Sequence, residues 1–239
     1  MRIAAVGDLH CHEGGTEVFR YAFADVNAHA DVLVLCGDLT YHGRIAEIEV
    51  VVEELAEVLV PIIAVLGNHD YHEKNQKRFH DLLEDAGVQV LDGESAVLDI
   101  RGHCVGFTGT KGFAGGFGRR ALTDFGEDLW RRFFVEARRE GEKIRYGLTH
   151  LDAELKIVVL HYAPIADTLT GEDPQIYPFL GGSELATAVD DVGADLVLHG
   201  HAHFGREAGF TPGGVSVRNV SHSLLNQAYQ LFELDWPRR

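Results

Sequence analysis

Carboxylates and histidines recur in this chain at a spacing that metal chemistry can use. Gly7-Asp8-Leu9-His10 and Gly200-His201-Ala202-His203 each hold an i,i+2 pair behind a glycine, which turns both side chains to the same side of an extended backbone. Gly37-Asp38 supplies a lone carboxylate whose two oxygens can bridge ions roughly 3.5–4 Å apart, as in two-metal sites generally. Gly67-Asn68-His69-Asp70 and His161 add an amide oxygen, more imidazoles and another carboxylate. This donor set suits hard-to-borderline divalent cations and requires no thiolate. A single Gly-Asp is ordinarily only a turn, but that account does not stretch to five such clusters in one domain.

The elements that must position these residues can be read from hydropathy. Short, β-branched apolar runs at 3–6, 32–36, 62–66, 97–100, 104–108, 156–160, 196–198, 215–218 and 230–234 read as strands. Helical patterns fall near 16–28, 44–59, 74–86, 127–140 and 183–191, and the alternation is that of strands joined by crossover helices. In the first helix Phe19/Phe23 and Val18/Ala22/Val26 give one apolar face. Each chemical cluster directly follows a strand, after Val6, Cys36, Leu66, Leu160 and Leu198. Ligands of open α/β sheets bind outside the carboxyl ends of strands, so the five clusters are expected to converge on one rim.

The 239 residues, 46% hydrophobic and 24% charged, are expected to form a single α/β domain over 1–239. A cap or insertion is expected at about 110–153, where a glycine-rich stretch and an Arg-rich helical stretch interrupt the alternation. The net charge of −16 disfavours nucleic acid, whose binding rests on Lys and Arg neutralising phosphates. The 110–153 stretch is locally basic, with Arg119, Arg120, Arg131, Arg132, Arg138, Arg139 and nearby aromatics. Glu127, Asp128, Glu136 and Glu140 lie among the last four arginines, so a solvated helix with i,i+4 pairs is preferred to a strand-binding surface. Cys11, Cys36 and Cys104 cannot all pair with one another, no apolar run is long enough to span a membrane, and none at the N-terminus reads as a signal segment. A cytoplasmic, non-membrane protein with reduced thiols is expected.

The ordered set Asp-x-His, Gly-Asp, Gly-Asn-His-Asp, His and Gly-His-x-His, running from Asp8 to His203, resembles the calcineurin-like metallophosphoesterase superfamily. The resemblance implies a four-layer α/β/β/α sandwich, with two mixed β-sheets packed face to face and helices outside, and a binuclear centre. By position, one metal would take Asp8, His10, Asp38 and His203, and the other Asp38, Asn68, His161 and His201. Mn²⁺ is favoured, with Fe or Zn²⁺ accepted by the same donors. His69 matches the position that faces the phosphate as general acid or electrostatic stabiliser. Asp70 either orients His69 or caps the following helix.

The expected reaction is hydrolysis of a small phosphate ester by in-line attack of a metal-activated hydroxide, with His69 protonating the leaving oxygen. Protein phosphatases of the superfamily carry Asp and Arg three and four residues after the bridging Asp, where this chain has Tyr41 and His42. The missing Arg removes a bidentate phosphate clamp. The stretch Gly37 to Gly43 is similar to phosphodiesterase-like members, including class III cyclic nucleotide phosphodiesterases. A phosphodiester of nucleotide type is therefore expected, held in part by His42 or His12; a phosphomonoesterase, a nuclease or an inactive scaffold of the same fold are the alternatives. His72, His199 and His222 read as lining or hydrogen-bonding groups, and oligomeric state is not legible.

Overall fold

The computed structural model of the chain describes residues 1–15 and 19–236. β1 (Arg2–Val6), β2 (Val32–Cys36) and β3 (Ile62–Val65) are apolar almost throughout, the composition of parallel strands covered on both faces. They alternate with α1 (Arg20–His29), α2 (Ile45–Leu55) and α3 (Gln76–Asp85). A short parallel β4 (Val88–Val90) and the antiparallel β11 (Gln230–Glu233) complete a five-stranded sheet of order β11-β1-β2-β3-β4.

The second sheet is built from β5 (Ser95–Ile100), β6 (His103–Thr110), β7 (Leu155–Leu160), β8 (Leu196–His199), β9 (Ala208–Phe210) and β10 (Ser216–Asn219). Its order is β5-β6-β7-β8-β10-β9, with β5 and β9 antiparallel at the edges. Beside it run the long α4 (Asp128–His150), the single turn α5 (Tyr177–Leu180) and α6 (Ser183–Val192), and α7 (His222–Leu225) follows β10.

Three apolar seams define four layers, α/β/β/α. Between the sheets, Ile3, Val34 and Ile63 share a buried cluster with Phe107, Ile157 and Leu198. The intervening strand residues Ala4, Leu33 and Leu35 cluster instead with Phe23, Ile48 and Phe79 of the first helices. Val158, Leu160 and Val197 meet Ile144, Leu148 and Leu185 of α4 and α6. Each fully buried Ile, Leu or Phe contributes about 1.5–3 kcal/mol, so the carboxyl-end loops stand on a rigid base.

Some elements differ from expectation. β4 and β9 carry only three residues each, and such edge strands leave little periodicity to detect. The helix expected at 127–140 continues to His150. Gly141 and Gly147 look like breakers in sequence, yet they are where α4 packs most closely: a Cβ on Gly147 would collide with the Thr108 side chain of β6. Within the 110–153 segment, α4 thus lies against the second sheet and α6, while the stretch before it is mostly irregular chain. The start of the helix expected near 16–28 falls at 16–18, outside the described residues. Among the described residues, no helix is long and apolar enough to cross a membrane.

Candidate metal centre

The turns after β1, β2, β3, β7 and β8 meet at the carboxyl edge of both sheets. Asp8, His10, Asp38 and His201 hold positive φ of 59°, 47°, 50° and 68°, a left-handed region that few non-glycine residues adopt. Such strain persists only where the surroundings over-determine it, and it concentrates at functional sites. The loops also approach each other closely. Any side chain at Gly67 would run into the Asp38 carboxylate, so the β3 turn can lie against the β2 turn only with glycine there.

The side chains converge as two overlapping groups. Asp8, His10 and His203 bring ligand atoms together on one side; His203 Nε2 is 3.1 Å from Asp8 Oδ1 and 3.4 Å from His10 Nε2. Asp38, His161 and His201 form the other group, joined by Asn68, whose Oδ1 is 2.8 Å from His161 Nε2. Asp38 lies between them: Oδ1 is 3.4 Å from His161 Nε2, and Oδ2 is 4.0 Å from His10 Nε2. The Asp8 carboxylate also accepts the His201 backbone N–H at 3.1 and 2.9 Å, which ties the β1 turn to the β8 turn.

This arrangement fits cations. His161 Nδ1 donates to the Cys36 carbonyl at 3.0 Å, which leaves the lone pair of Nε2 facing the Asn68 oxygen. Two acceptors so placed need a proton or a metal ion between them, and a backbone carbonyl is the usual partner that fixes a ligating imidazole. Among the described residues, His10 Nδ1 is buried with no hydrogen-bond partner. Burial works against ionising Asp8 and Asp38, yet neighbouring histidines keep both below the usual carboxylate range, His203 chiefly for Asp8 and His161 for Asp38. Burial likewise opposes a charge on His161, but Asp38 beside it holds that imidazole up at about 9. His203 is raised by its hydrogen bond to Asp8, whereas burial and then His161 push His201 down to about 3. Two buried carboxylates are thus kept ionised beside imidazoles that burial and neighbouring charges push in opposite directions.

His69 stands at the mouth. Its Nδ1 donates to the Tyr41 carbonyl at 2.6 Å, its backbone N–H donates to Asp38 Oδ1 at 2.8 Å, and Nε2 faces Asp38 Oδ2 at 3.9 Å. His10, Asp38 and His69 also come within ligand distance of one another. Asp70 takes neither of the roles read for it, because its buried carboxylate is engaged elsewhere. It accepts from Leu39 N, Thr40 N, Thr40 Oγ1 and Gly67 N at 3.2, 2.9, 2.7 and 2.8 Å. Burial and the nearby Asp38 raise it to about 6. Asp70 therefore clamps the β2 turn to the β3 turn, and Tyr41 orients His69. Thr40→Val keeps the shape but removes one donor from this buried carboxylate; it should destabilise the fold by about 1–3 kcal/mol in urea unfolding.

The other histidines are distributed unevenly. Tyr41, His42 and His72 line the pocket of about 220 Å³ over Asn68 and His69, with His42 Nδ1 paired to the buried Glu47 at 3.1 Å. His12 is exposed, its ring against the Glu13 carbonyl. His199 is buried and bonds Thr168 and the Gly200 carbonyl, bracing the turn before His201. His222 turns its ring edge to Phe19, 5.0 Å away.

Sequence reasoning missed Tyr162 and Lys111. The Tyr162 ring packs 4.4 Å from His201, centroid to centroid. The Lys111 carbonyl accepts the backbone N–H of both His161 and Tyr162, and its ammonium faces the rings of Tyr71, Phe113 and Tyr162 at 4.9–5.4 Å. The only local signal was a Lys in an otherwise glycine- and phenylalanine-rich stretch.

Residues 1–205 match the family model described as calcineurin-like phosphoesterase. The chain is 26% identical over 182 residues to the uncharacterized protein YpbG of Bacillus subtilis (strain 168); the match covers 75% of this chain and 53% of that relative, so the chain spans about half its length. Among solved structures, it is similar to phosphopantetheinyl hydrolase (PptH) from Mycobacterium tuberculosis, with a TM-score of 0.65 and 17% identity over 92% of this chain and 88% of that one. It is similar also to the protein TT1561 of Thermus thermophilus, at TM-score 0.57 and 18% identity over 91% and 88%.

Proposed function

The chain belongs to the calcineurin-like phosphoesterase family, and from that premise we propose that it hydrolyses a small phosphodiester of nucleotide type at a centre of two metal ions. The observation that carries this reading is the bridging position of Asp38, one oxygen toward His161 and the other toward His10. Asp8, His10 and His203 would complete one set of ligands, and Asn68, His161 and His201 the other. Bound there, Mn²⁺, Fe or Zn²⁺ ions would supply Lewis acidity toward the phosphoryl oxygens and lower the pKa of a water.

The chain's own residues do the rest. His69 holds its Nδ1 proton against the Tyr41 carbonyl, so the group that can gain and give a proton is Nε2, which points into the centre. A protonated His69 would pass that proton to the leaving oxygen as negative charge develops on it. Asp70 and Thr40 act at one remove, by keeping the β2 and β3 turns in register.

The preference for a diester rests on what lines the mouth. Tyr41, His42 and His72 bring no guanidinium, so a monoester dianion would lack the bidentate clamp it favours. With Mn²⁺, kcat/KM for bis-p-nitrophenyl phosphate is expected to exceed that for p-nitrophenyl phosphate at least about tenfold, the effect of about 1.4 kcal/mol. The opposite ratio would remove the diester reading and leave a monoesterase. The free thiols of Cys11, Cys36 and Cys104 are in keeping with a cytoplasmic enzyme.

A further inference from the structure

Beside the metal centre lies a second, larger cavity for which the reaction just described has no use. It has a volume of about 520 Å³ and is walled by Trp130, Phe133 and Phe179, with Arg120 and Gln175 among its polar groups. Its size falls within the roughly 300–1,000 Å³ usual for small-molecule sites. Trp130 and Phe179 remain 52% and 62% exposed, although aromatic surface of that extent is better covered than wet.

Two features connect this cavity to the centre. Leu180, next in the chain to Phe179, accepts the backbone N–H of Ala163 at 3.0 Å, so the segment that lines the cavity is tied to the turn just after His161. A line of rings also runs between them: Trp130 to Phe133 at 6.1 Å, Phe133 to Phe113 at 4.7 Å, Phe113 to Tyr162 at 6.1 Å, and Tyr162 to His201 at 4.4 Å.

We propose that this cavity receives the organic half of the ester, and that its occupant is a nucleobase. The inference rests on the phosphodiesterase reading above and adds the place that holds the base of such a substrate. The Trp130 and Phe133 planes lie 13° from parallel, so together they present flat faces to a flat ligand. Stacking on such faces tolerates any base, because every base has a π-face. The Arg120 guanidinium and the Gln175 amide offer donors and an acceptor to a ring edge. An alkyl chain would leave both unpaired, and that loss is costly once water is excluded. The net charge of −16 counts against a long polynucleotide but not against a single nucleotide unit, whose phosphate would sit on the metals.

The test uses the metal-loaded protein carrying Trp236→Phe, which leaves Trp130 as the sole tryptophan of the chain. Adenosine 5′-monophosphate should quench Trp130 fluorescence saturably, and ribose 5-phosphate should bind at least about tenfold more weakly, given the usual worth of base stacking. Phe179→Ala should weaken adenosine 5′-monophosphate binding by about 5- to 100-fold. Absence of saturable quenching, or equal affinity for the two phosphates, overturns the proposal. A catalytic readout runs alongside: wild type should prefer p-nitrophenyl thymidine 5′-phosphate to methyl p-nitrophenyl phosphate, and Trp130→Ala should collapse that ratio toward one. The two readings fail separately. Quenching without hydrolysis of either ester contradicts the enzyme reading alone, while equal hydrolysis of both without quenching contradicts the nucleobase cavity alone.

Discussion

Asp38→Asn is expected to lower turnover by more than about 10³-fold and to weaken the binding of both metals together, because a carboxamide offers one good oxygen where the carboxylate offers two. The geometry makes the loss shared. Oδ1 addresses His161 and Oδ2 addresses His10, so no other residue need move for the two sets to lose their common member. Several kcal/mol of transition-state stabilisation are at stake in a metal centre of this kind, and each 1.36 kcal/mol is tenfold in rate. The variant should fold, since it retains an oxygen for the His69 backbone N–H that bonds Asp38 at 2.8 Å. Metal titration with parallel kinetics checks the expectation; full activity with two tightly bound ions would exclude the bridging role.

His69→Ala should behave differently. The imidazole is partly exposed, is held by the Tyr41 carbonyl at 2.6 Å and faces Asp38 at 3.9 Å. If His69 serves as general acid, its loss slows hydrolysis about 10²–10⁴-fold while the metals stay. The deficit should shrink for esters whose leaving group needs no proton, such as p-nitrophenolate, relative to alkoxide leaving groups. His69 also lies within ligand distance of His10 and Asp38, so metal content decides between acid and ligand: loss of an ion from His69→Ala would reassign the residue.

Much of the centre was legible in sequence because it obeys a local rule. Asp8, Asp38, Asn68, His161 and His201 each follow a strand within a few residues, so finding the strand located the donor. His10 and His203 came with the i,i+2 spacing. Asp70 was misread because its partners Leu39 and Thr40 lie on another turn, and no spacing within Gly67-Asn68-His69-Asp70 encodes that contact. For the same reason the Cys36 carbonyl was invisible as the orienting partner of His161.

The fold shows the same division. Runs such as Val32–Cys36 announce a buried strand by composition alone, whereas the pairing of two mixed sheets face to face was implied only by the resemblance that the ordered motifs carry. The length of α4 did not follow, because Gly141 and Gly147 count against a helix locally and in its favour only where Thr108 and Glu184 come close. The cavity beside His201 depends on contacts between segments far apart in the chain, Trp130 and Phe133 on α4 with Gln175 and Phe179 before and within α5. It could be found only once the chain was folded.

The most direct test of the two-metal account is metal stoichiometry read together with hydrolysis of bis-p-nitrophenyl phosphate, as the chelated protein is titrated with Mn²⁺. The account predicts two ions per chain, activity that vanishes on chelation and returns with the metal, and loss of both in Asp38→Asn. Two ions bound with no hydrolysis of any phosphate ester, or full hydrolysis by protein stripped of metal, would contradict it.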